Sequence, residues 1–258
     1  MGVLEPWIRL GVFGFVLTAM VLWEVVWPRR ALVAGRWARW PGNLALVVLN
    51  TAMVRLAVPV AGVGLAAIAA RQGFGMLHWV SVPGWVGFLV SVVVLDLAIY
   101  GQHVVFHAVP TLWRVHRVHH ADVGFDVTTG LRFHPIEILL SMAFKLAVVA
   151  ALGAPADAVL AFEVVLNAAS MFSHGNVYMP EWIDRAARLV LVTPDMHRLH
   201  HSVVRAETDS NYGFCLAWWD RAFLTYRAAP EGGQLGMVIG VEGGGETRLD
   251  RMLLLPWR

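Results

Sequence analysis

The sequence contains little cysteine, little lysine and little charge. Cys215 is the single cysteine, which excludes an internal disulfide framework and a metal site built only from thiolates. Lys145 is the single lysine among 20 basic residues, and with the many Ala, Val and Gly residues this indicates a GC-rich, bacterial genome. Charged residues make up 15% of the chain, against about 25% in ordinary globular proteins. The composition is therefore not that of a typical soluble protein.

The sequence also gives no sign of a nucleic-acid-binding site or a nucleotide-binding site. The formal net charge of +2 is too small to imply nucleic-acid binding, so we expect no nucleic-acid partner. The glycine run at residues 243–245 lacks the strand, the helix and the Lys-Ser/Thr pair of a phosphate-binding loop. No GxGxxG fingerprint is present either. We therefore interpret residues 243–245 as a linker and expect no nucleotide cofactor.

Apolar residues, by contrast, are abundant: 58% of the chain is hydrophobic and the mean hydropathy is +0.61. This composition predicts an all-α, multi-span integral membrane protein. Residues 7–27 match one bilayer core at about 1.5 Å per residue and carry a tryptophan at each end. No convincing small-residue cleavage site follows, so we expect a retained anchor rather than a signal peptide. A second span is expected at 44–70, with a kink at Pro59, and a third begins near Trp85.

Arginines indicate the orientation of these spans. Arg29, Arg30, Arg36 and Arg39 follow the first span, and the positive-inside rule places them in the cytoplasm. The polar, basic stretch 110–135 is independently expected on the same side. We therefore expect a histidine-rich helical cap at the cytoplasmic face of a bacterial inner membrane.

Two shorter apolar stretches, residues 137–152 and 156–172, are separated by Gly153-Ala154-Pro155. They predict a tight helical hairpin that returns to the cytoplasmic side. The length of the two stretches does not decide whether the hairpin crosses the bilayer or only enters it.

Beyond the hairpin, residues 183–192 mix arginine with leucine and valine and are expected to form a helix along the membrane surface. Trp218, Trp219 and Phe223 either cover the site or touch the headgroup layer. We divide the chain into an N-terminal membrane part (1–84), a histidine-rich catalytic domain that includes the hairpin (85–227) and a C-terminal cytoplasmic tail (228–258).

Ten of the eleven histidines lie between residues 103 and 201, mostly at spacings of three and four that share one face of a helix. They are His103, His107, His116, His119, His120, His134, His174, His197, His200 and His201. Imidazole-rich sites without thiolates suit iron, zinc, copper or nickel. Ten such side chains exceed what one ion can bind, so we predict two metals in one pocket. His78 lies on the other side of the predicted membrane and is not expected to take part.

Asp96 and Tyr100 continue the helical stripe of the first histidine pair. A carboxylate inside a membrane segment is a candidate functional group. We expect Asp96 or Tyr100 to hydrogen-bond the far nitrogen of a ligating histidine, while a pairing of Asp96 with Arg55 is equally consistent with the sequence. The other candidates for a supporting role are Asp122 and Asn211.

Taken together, the histidine clusters and the residues around them resemble the eight-histidine signature of the sterol desaturase and fatty acid hydroxylase superfamily over about residues 85–227. The resemblance rests on His103-x3-His107, His116-x2-His119-His120, His197-x2-His200-His201, Asp96-x3-Tyr100-x2-His103, His134-Pro135-x-Glu137, His174-x-Asn176 and the stretch from Asn211-Tyr212-Gly213 to Trp219-Asp220-Arg221. Carried over by position, it implies eight ligands: His103, His107, His116, His119, His120, His197, His200 and His201. His174 and His134 are implied as additional ligands.

This resemblance implies a non-haem di-iron enzyme that uses O2 and two electrons to hydroxylate or desaturate a sterol, fatty acyl chain, glyceryl ether or carotenoid. It also implies an external electron donor, such as a ferredoxin, a cytochrome or a reductase. The chain has Gly101, Gln102 and Val104 where family members often have an aromatic and an arginine, which leaves the substrate open. Zinc can replace iron in such imidazole sites.

Two alternatives belong to other classes of protein. A histidine-rich metal transporter would carry its histidines along a span, whereas these fall on one predicted face. A zinc-dependent membrane hydrolase needs three or four ligands and a carboxylate base, which would leave most of the histidines unexplained.

Overall fold

Helices are the regular elements of the computed structural model, which describes residues 4–258; within this range there are three isolated β-bridges and no β-strand. The long helices are α1 (Glu5–Val26), α2 (Arg36–Ala57), α5 (Gly84–Ala108), α7 (Pro135–Leu152) and α8 (Ala156–Ser173). The shorter ones are α3 (Gly62–Gln72), α4 (Met76–Trp79), α6 (Pro110–His120), α9 (Glu181–Ala187), α10 (Pro194–His200), α11 (Arg205–Thr208), α12 (Trp218–Ala222), α13 (Gly233–Gly236) and α14 (Leu249–Leu254), with 3-10 turns at Thr129–Leu131 and Leu255–Trp257.

Five segments are long and apolar enough to cross a membrane: α1, α5, α7, α8 and the stretch Arg36–Trp79, which joins α2, α3 and α4. The predicted all-α, multi-span architecture is thus confirmed. α7 and α8 have 18 residues each, or about 27 Å at 1.5 Å per residue, which is close to the thickness of a bilayer core.

The second span differs from the prediction. α2 begins at Arg36 and ends at Ala57, and α3 starts only at Gly62, so Pro59 lies in a break between two helices rather than at a kink within one. Proline offers no N–H to the helix and pushes the preceding residue toward extended backbone, as Val58 shows with φ −123° and ψ 83°. The expected arginine loop is also shorter than predicted, because Arg36 and Arg39 belong to α2.

α7 and α8 are joined by the expected turn, in which Gly153 adopts a left-handed φ of +66°. α3 and α5 each pack against both helices, while α1 packs against α8 and α2 against α7. Leu95 and Ile99 of α5 meet Val149 and Phe162 in the apolar core of this bundle. The two helices thus form the predicted hairpin, which returns the chain to the capped end, with α3 and α5 packed against both of its arms.

α6, α10 and the loops around them form a cap at the end of the long helices where α5 ends and α7 begins. α10 begins as expected, because Thr193 accepts a hydrogen bond from the Met196 amide and Pro194 occupies the first turn. The predicted helix at 183–192 is shorter than expected, since α9 ends at Ala187 and Leu191 forms a bridge with Leu216.

Gly75→Ala is expected to lower the stability of the membrane bundle. A Cβ at this position would lie 2.3 Å from the backbone of Gly153, and the φ of +101° is one that L side chains rarely adopt. Together these effects cost about 2–4 kcal/mol of the free energy of unfolding. Thermal unfolding of the detergent-solubilised protein measures the loss. The control is Gly84→Ala, where the added Cβ meets no atom within 4 Å; equal melting temperatures for the two variants would contradict the prediction.

Candidate metal centre

Nine histidines converge at the junction of the cap and the long helices. α5 contributes His103 and His107 from its last two turns, and α6 contributes His116, His119 and His120. His174 directly follows α8, and His197, His200 and His201 come from α10 and the residue after it. None of the nine is more than 4% exposed, so a water-poor site is built from four parts of the chain.

The nine side chains form two separate groups. His103, His107, His116, His120 and His200 form a five-histidine group, and His119, His174, His197 and His201 form a four-histidine group. Within each group the ligand-type nitrogens lie within 4.8 Å of one another. The arrangement therefore offers two adjacent metal positions, with every offered atom an imidazole nitrogen.

Backbone carbonyls hold the far nitrogens of several of these rings. Nδ1 of His103 lies 2.7 Å from the Tyr212 carbonyl, and Nδ1 of His200 lies 2.7 Å from the Ser210 carbonyl. Because a carbonyl only accepts, Nδ1 must carry the proton in both rings, which leaves Nε2 with a lone pair. This is the tautomer that a metal-binding histidine needs.

Those lone pairs face each other. Nε2 of His103 and Nε2 of His200 are 3.1 Å apart although both nitrogens are acceptors, and Nε2 of His174 is 3.0 Å from Nε2 of His119 in the other group. Two unprotonated nitrogens at this distance repel each other unless a cation lies between them. Metal–imidazole distances of about 2.0–2.1 Å fit such a gap.

Burial keeps these imidazoles neutral. It lowers the pKa of His200 to about 3 and that of His174 to about 4, although a backbone carbonyl at each ring acts in the opposite direction. Burial likewise lowers the pKa of His119, His120 and His201 well below the ordinary value, and neighbouring histidines lower it further. Neutral imidazole is the form that binds metal.

Several buried ring nitrogens have no hydrogen-bond partner within residues 4–258. They are Nε2 of His107, Nδ1 of His120, Nδ1 of His197 and both nitrogens of His201. An unsatisfied buried polar atom costs about 1–3 kcal/mol, so five of them in one pocket need an explanation. Metal binding accounts for Nε2 of His107 and for one nitrogen of His201, while His120 and His197 direct Nε2, not the unpartnered Nδ1, toward neighbouring histidines. This donor set fits a metal pair.

Two carboxylates complete the surroundings of the five-histidine group. Glu137, in the first turn of α7, places Oε1 2.6 Å from Nδ1 of His116. Asp209 places Oδ1 3.4 Å from Nδ1 of His107. The sequence identifies Glu137 only as part of a resembling motif, because its partner His116 is 21 residues away. Its place in the first turn after Pro135 is the signal that could have suggested an inward-facing acid.

Asp96 and Tyr100 do not make the expected bonds to histidine. The Asp96 carboxylate accepts from the Cys215 and Leu216 amides at 3.3 and 3.2 Å and from the Trp219 indole at 2.8 Å, while Arg55 is exposed. The Tyr100 hydroxyl lies 2.9 Å from the Thr225 hydroxyl. Both side chains fix the 212–225 segment, whose Tyr212 carbonyl in turn holds His103.

Asp122 and Asn211 also support the histidines indirectly, by binding other residues. Asp122 accepts from the buried guanidinium of Arg39 at 2.7 and 2.9 Å. Burial alone would raise the pKa of Asp122, but the Arg39 guanidinium holds it well below its usual range. The Asn211 amide donates to the carbonyls of Met196 and Arg227, which ties α10 to the following loop.

His134 and His78 lie outside both groups. His134 precedes α7, where its Nδ1 accepts from the Ile136 amide at 3.2 Å and its Nε2 lies 3.3 Å from the Leu253 carbonyl. The helix cap occupies Nδ1 and the Leu253 carbonyl occupies Nε2, so we leave His134 out of the proposed ligand set. His78 is exposed on α4, beside Gly153 at the opposite end of α7.

The family model for fatty acid hydroxylase matches residues 88–225, which is more than half of the chain. The chain belongs to the fatty acid hydroxylase family. All nine converging histidines lie inside the matched region, and so do Glu137 and Asp209.

Among curated relatives, the chain is similar to an ornithine lipid hydroxylase from Rhizobium tropici, with 33% identity over 55% of this chain and 42% of the relative. It is also similar to the human alkylglycerol monooxygenase, with 30% identity over 60% of this chain and 33% of the relative. The match thus spans less than half the length of either relative. No solved structure matches the chain.

Glu137→Gln is expected to weaken metal binding in the five-histidine group. The amide keeps the shape of the side chain but replaces the anionic partner of His116, and loss of such a partner typically costs about 10–100-fold in metal affinity. Metal content after dialysis against graded chelator concentrations measures the change. Glu181→Gln, at an exposed position on α9, is the control. Metal retention equal to that of the control would exclude this role for Glu137.

Proposed function

We propose that this member of the fatty acid hydroxylase family is a membrane-bound, non-haem di-iron monooxygenase that hydroxylates an apolar lipid. The observation that carries the proposal is the pair of buried histidine groups, of five and four rings, at the end of the membrane helices. One oxygen atom of O2 enters the product and the other leaves as water, with two electrons and two protons supplied. Desaturation of the same substrate would use the same inputs and yield two waters.

His103, His107, His116, His120 and His200 would hold one iron, and His119, His174, His197 and His201 would hold the second. Bound iron would supply the oxygen-activating chemistry that no side chain in the pocket provides. The protein's own part is to hold nine neutral imidazoles in fixed tautomers, to keep bulk water out, and to place Glu137 where it can hold the proton on Nδ1 of His116.

Aromatic side chains line the five-histidine group and give it an apolar wall. The rings of Phe214 and Tyr212 lie 5.1 and 5.6 Å from the ring of His103, and Trp113 lies 4.8 Å from His107. An alkyl chain suits such a wall. The relatives named for ornithine lipid and alkylglycerol support a lipid with a polar head and a long chain as the substrate class.

The histidine cap is proposed to face the cytoplasm of a bacterial inner membrane. Arg29 and Arg30 directly follow α1 at the capped end, as the positive-inside rule requires. A soluble or membrane-bound donor, such as a ferredoxin, a cytochrome or a reductase, would deliver the electrons from that side.

A metal transporter and a zinc hydrolase fit the geometry less well. The histidine groups lie together in one buried pocket and not along a path through the spans. A hydrolytic zinc site would use only three protein ligands and leave the other imidazoles without a role.

The test is to reconstitute iron-loaded protein in membranes with a reducing system and ¹⁸O2, and to analyse the lipids by mass spectrometry. We expect about two irons per chain and one labelled oxygen in a recovered lipid. His119→Ala and His200→Ala should abolish the labelling, because each removes a ligand from one group.

The control variant is His78→Ala, which should retain wild-type labelling because His78 is exposed at the other end of the bundle. Iron binding with O2 uptake but no label in the lipid would indicate desaturation. No O2 uptake under reducing conditions, with two irons bound, would rule out the proposed function.

A further inference from the structure

An apolar surface lies next to the metal centre on segments outside the five membrane-crossing helices. Its largest exposed side chains are Trp182, Leu189, Val190, Trp218, Phe223 and Leu224. Leu224 is 92% exposed and Trp182 is 72% exposed. We call the surface formed by these six side chains the 182–224 surface. A contiguous apolar patch of this kind marks an interaction site.

These side chains come from two stretches of the chain, residues 182–190 and 218–224. Hydrogen bonds join the two stretches into one surface. The Trp218 indole donates to the Leu189 carbonyl at 2.8 Å, and the Ala217 amide donates to the Val190 carbonyl at 2.9 Å. The Val192 amide donates to the Cys215 carbonyl at 3.0 Å. The exposed leucines and valines are therefore held outward by a fixed backbone.

Asp96 sets the depth of this surface relative to the membrane. It is the middle residue of α5 (Gly84–Ala108), about 18 Å from either end at 1.5 Å per residue. α5 exceeds a bilayer core of about 30 Å by about 7 Å; with α5 along the membrane normal and Gly84 at the far edge of the core, Asp96 lies about 11 Å inside the edge nearest the histidines. Because Asp96 binds the Cys215 and Leu216 amides and the Trp219 indole, the 215–219 segment lies at that depth.

A second contact shows where this surface meets the membrane boundary. The Tyr178 amide donates to the carbonyl of Trp27, which directly follows α1, and Pro28 forms a bridge with Val177. The start of α9 therefore lies level with the end of a membrane-crossing helix. Aromatic side chains are enriched at this boundary, which suits the exposed Tyr178 and Trp182.

Within the two stretches Arg185 is exposed and pairs with Glu181 at the start of α9, which lies at the membrane boundary, while the other charged residues are turned away from the surface. Arg188 and Asp220 are buried, and the Arg221 guanidinium is folded back over the Tyr226 ring at 4.2 Å. Leu224, in contrast, points outward although its φ of +60° is costly for a leucine. Apart from the Arg185–Glu181 pair at the boundary, the surface therefore suits hydrocarbon and not water.

We propose that the 182–224 surface is embedded among the acyl chains of the leaflet nearest the histidines. The protein then contacts lipid through its five crossing helices and through this additional, non-crossing surface. The 212–224 segment becomes the wall between the bilayer interior and the five-histidine group, with the Phe214 ring 5.1 Å from that of His103.

The single native cysteine makes a labelling test direct. Cys215 is buried, and burial raises the pKa of its thiol, so Cys215→Ser gives a background without a reactive thiol. Into this background we would introduce Val190→Cys and Val204→Cys as a matched pair, because the two valines are 45% and 44% exposed. Val204 adjoins the exposed ion pair between Arg205 and Asp209 and serves as the control.

Each variant would carry a nitroxide label and be reconstituted in vesicles of phosphatidylcholine and phosphatidylglycerol. The measurement is the accessibility of the label to O2, which partitions into lipid, and to a water-soluble nickel chelate. We expect the O2-to-nickel ratio at Val190→Cys to exceed that at Val204→Cys several-fold, with Leu224→Cys resembling Val190→Cys. Equal ratios at all three positions would overturn the proposal.

A second measurement avoids the cysteine variants. Brominated acyl chains quench only tryptophans that touch them, so the difference between the native protein and Trp218→Phe isolates the signal of Trp218. Quenching of that signal is expected. Quenching by an aqueous quencher instead would show that the 182–224 surface faces water, which is the result that contradicts the proposal. Neither readout depends on iron or on catalysis.

Discussion

The repulsion between unprotonated imidazole nitrogens is the constraint on which the site depends. Nine rings are packed into a pocket with almost no exposure, and their Nε2 atoms approach to about 3 Å, as in the His103–His200 pair at 3.1 Å. Without a cation such an arrangement is unfavourable, and protonation is opposed by burial. The surrounding helices must therefore supply the energy that holds these rings together until metal binds.

That energy comes from packing and from buried polar networks at the base of the cap. Arg39 is fully buried and bonds both Asp122 and Asp126, which fixes α2 to the loop after α6. Asp96 fixes α5 to the 212–225 segment in the same way. Arg39, Asp122 and Asp96 thus position the elements that carry the rings, whereas Glu137 and Asp209 contact the rings themselves.

Much of this was predictable from sequence because hydropathy and histidine spacing are local signals. Patterns within about 20 residues predict the spans, the helical histidine cluster at His116–His120 and the start of α10. The break at Pro59 was predicted as a kink, since the sequence does not show whether neighbouring helices will hold the chain straight. The partners of Asp96 and Glu137 were not predictable, because they lie 119 and 21 residues away and depend on how the helices pack.

Four of the nine rings are oriented by main-chain carbonyls, those of Tyr212, Ser210, Ser170 and Arg132, and two by carboxylates. Every type of amino acid has such a carbonyl. The side chains at these four positions can therefore change during evolution while the hold on the rings persists. The lining of the pocket can therefore diverge while the histidine rings keep their orientation.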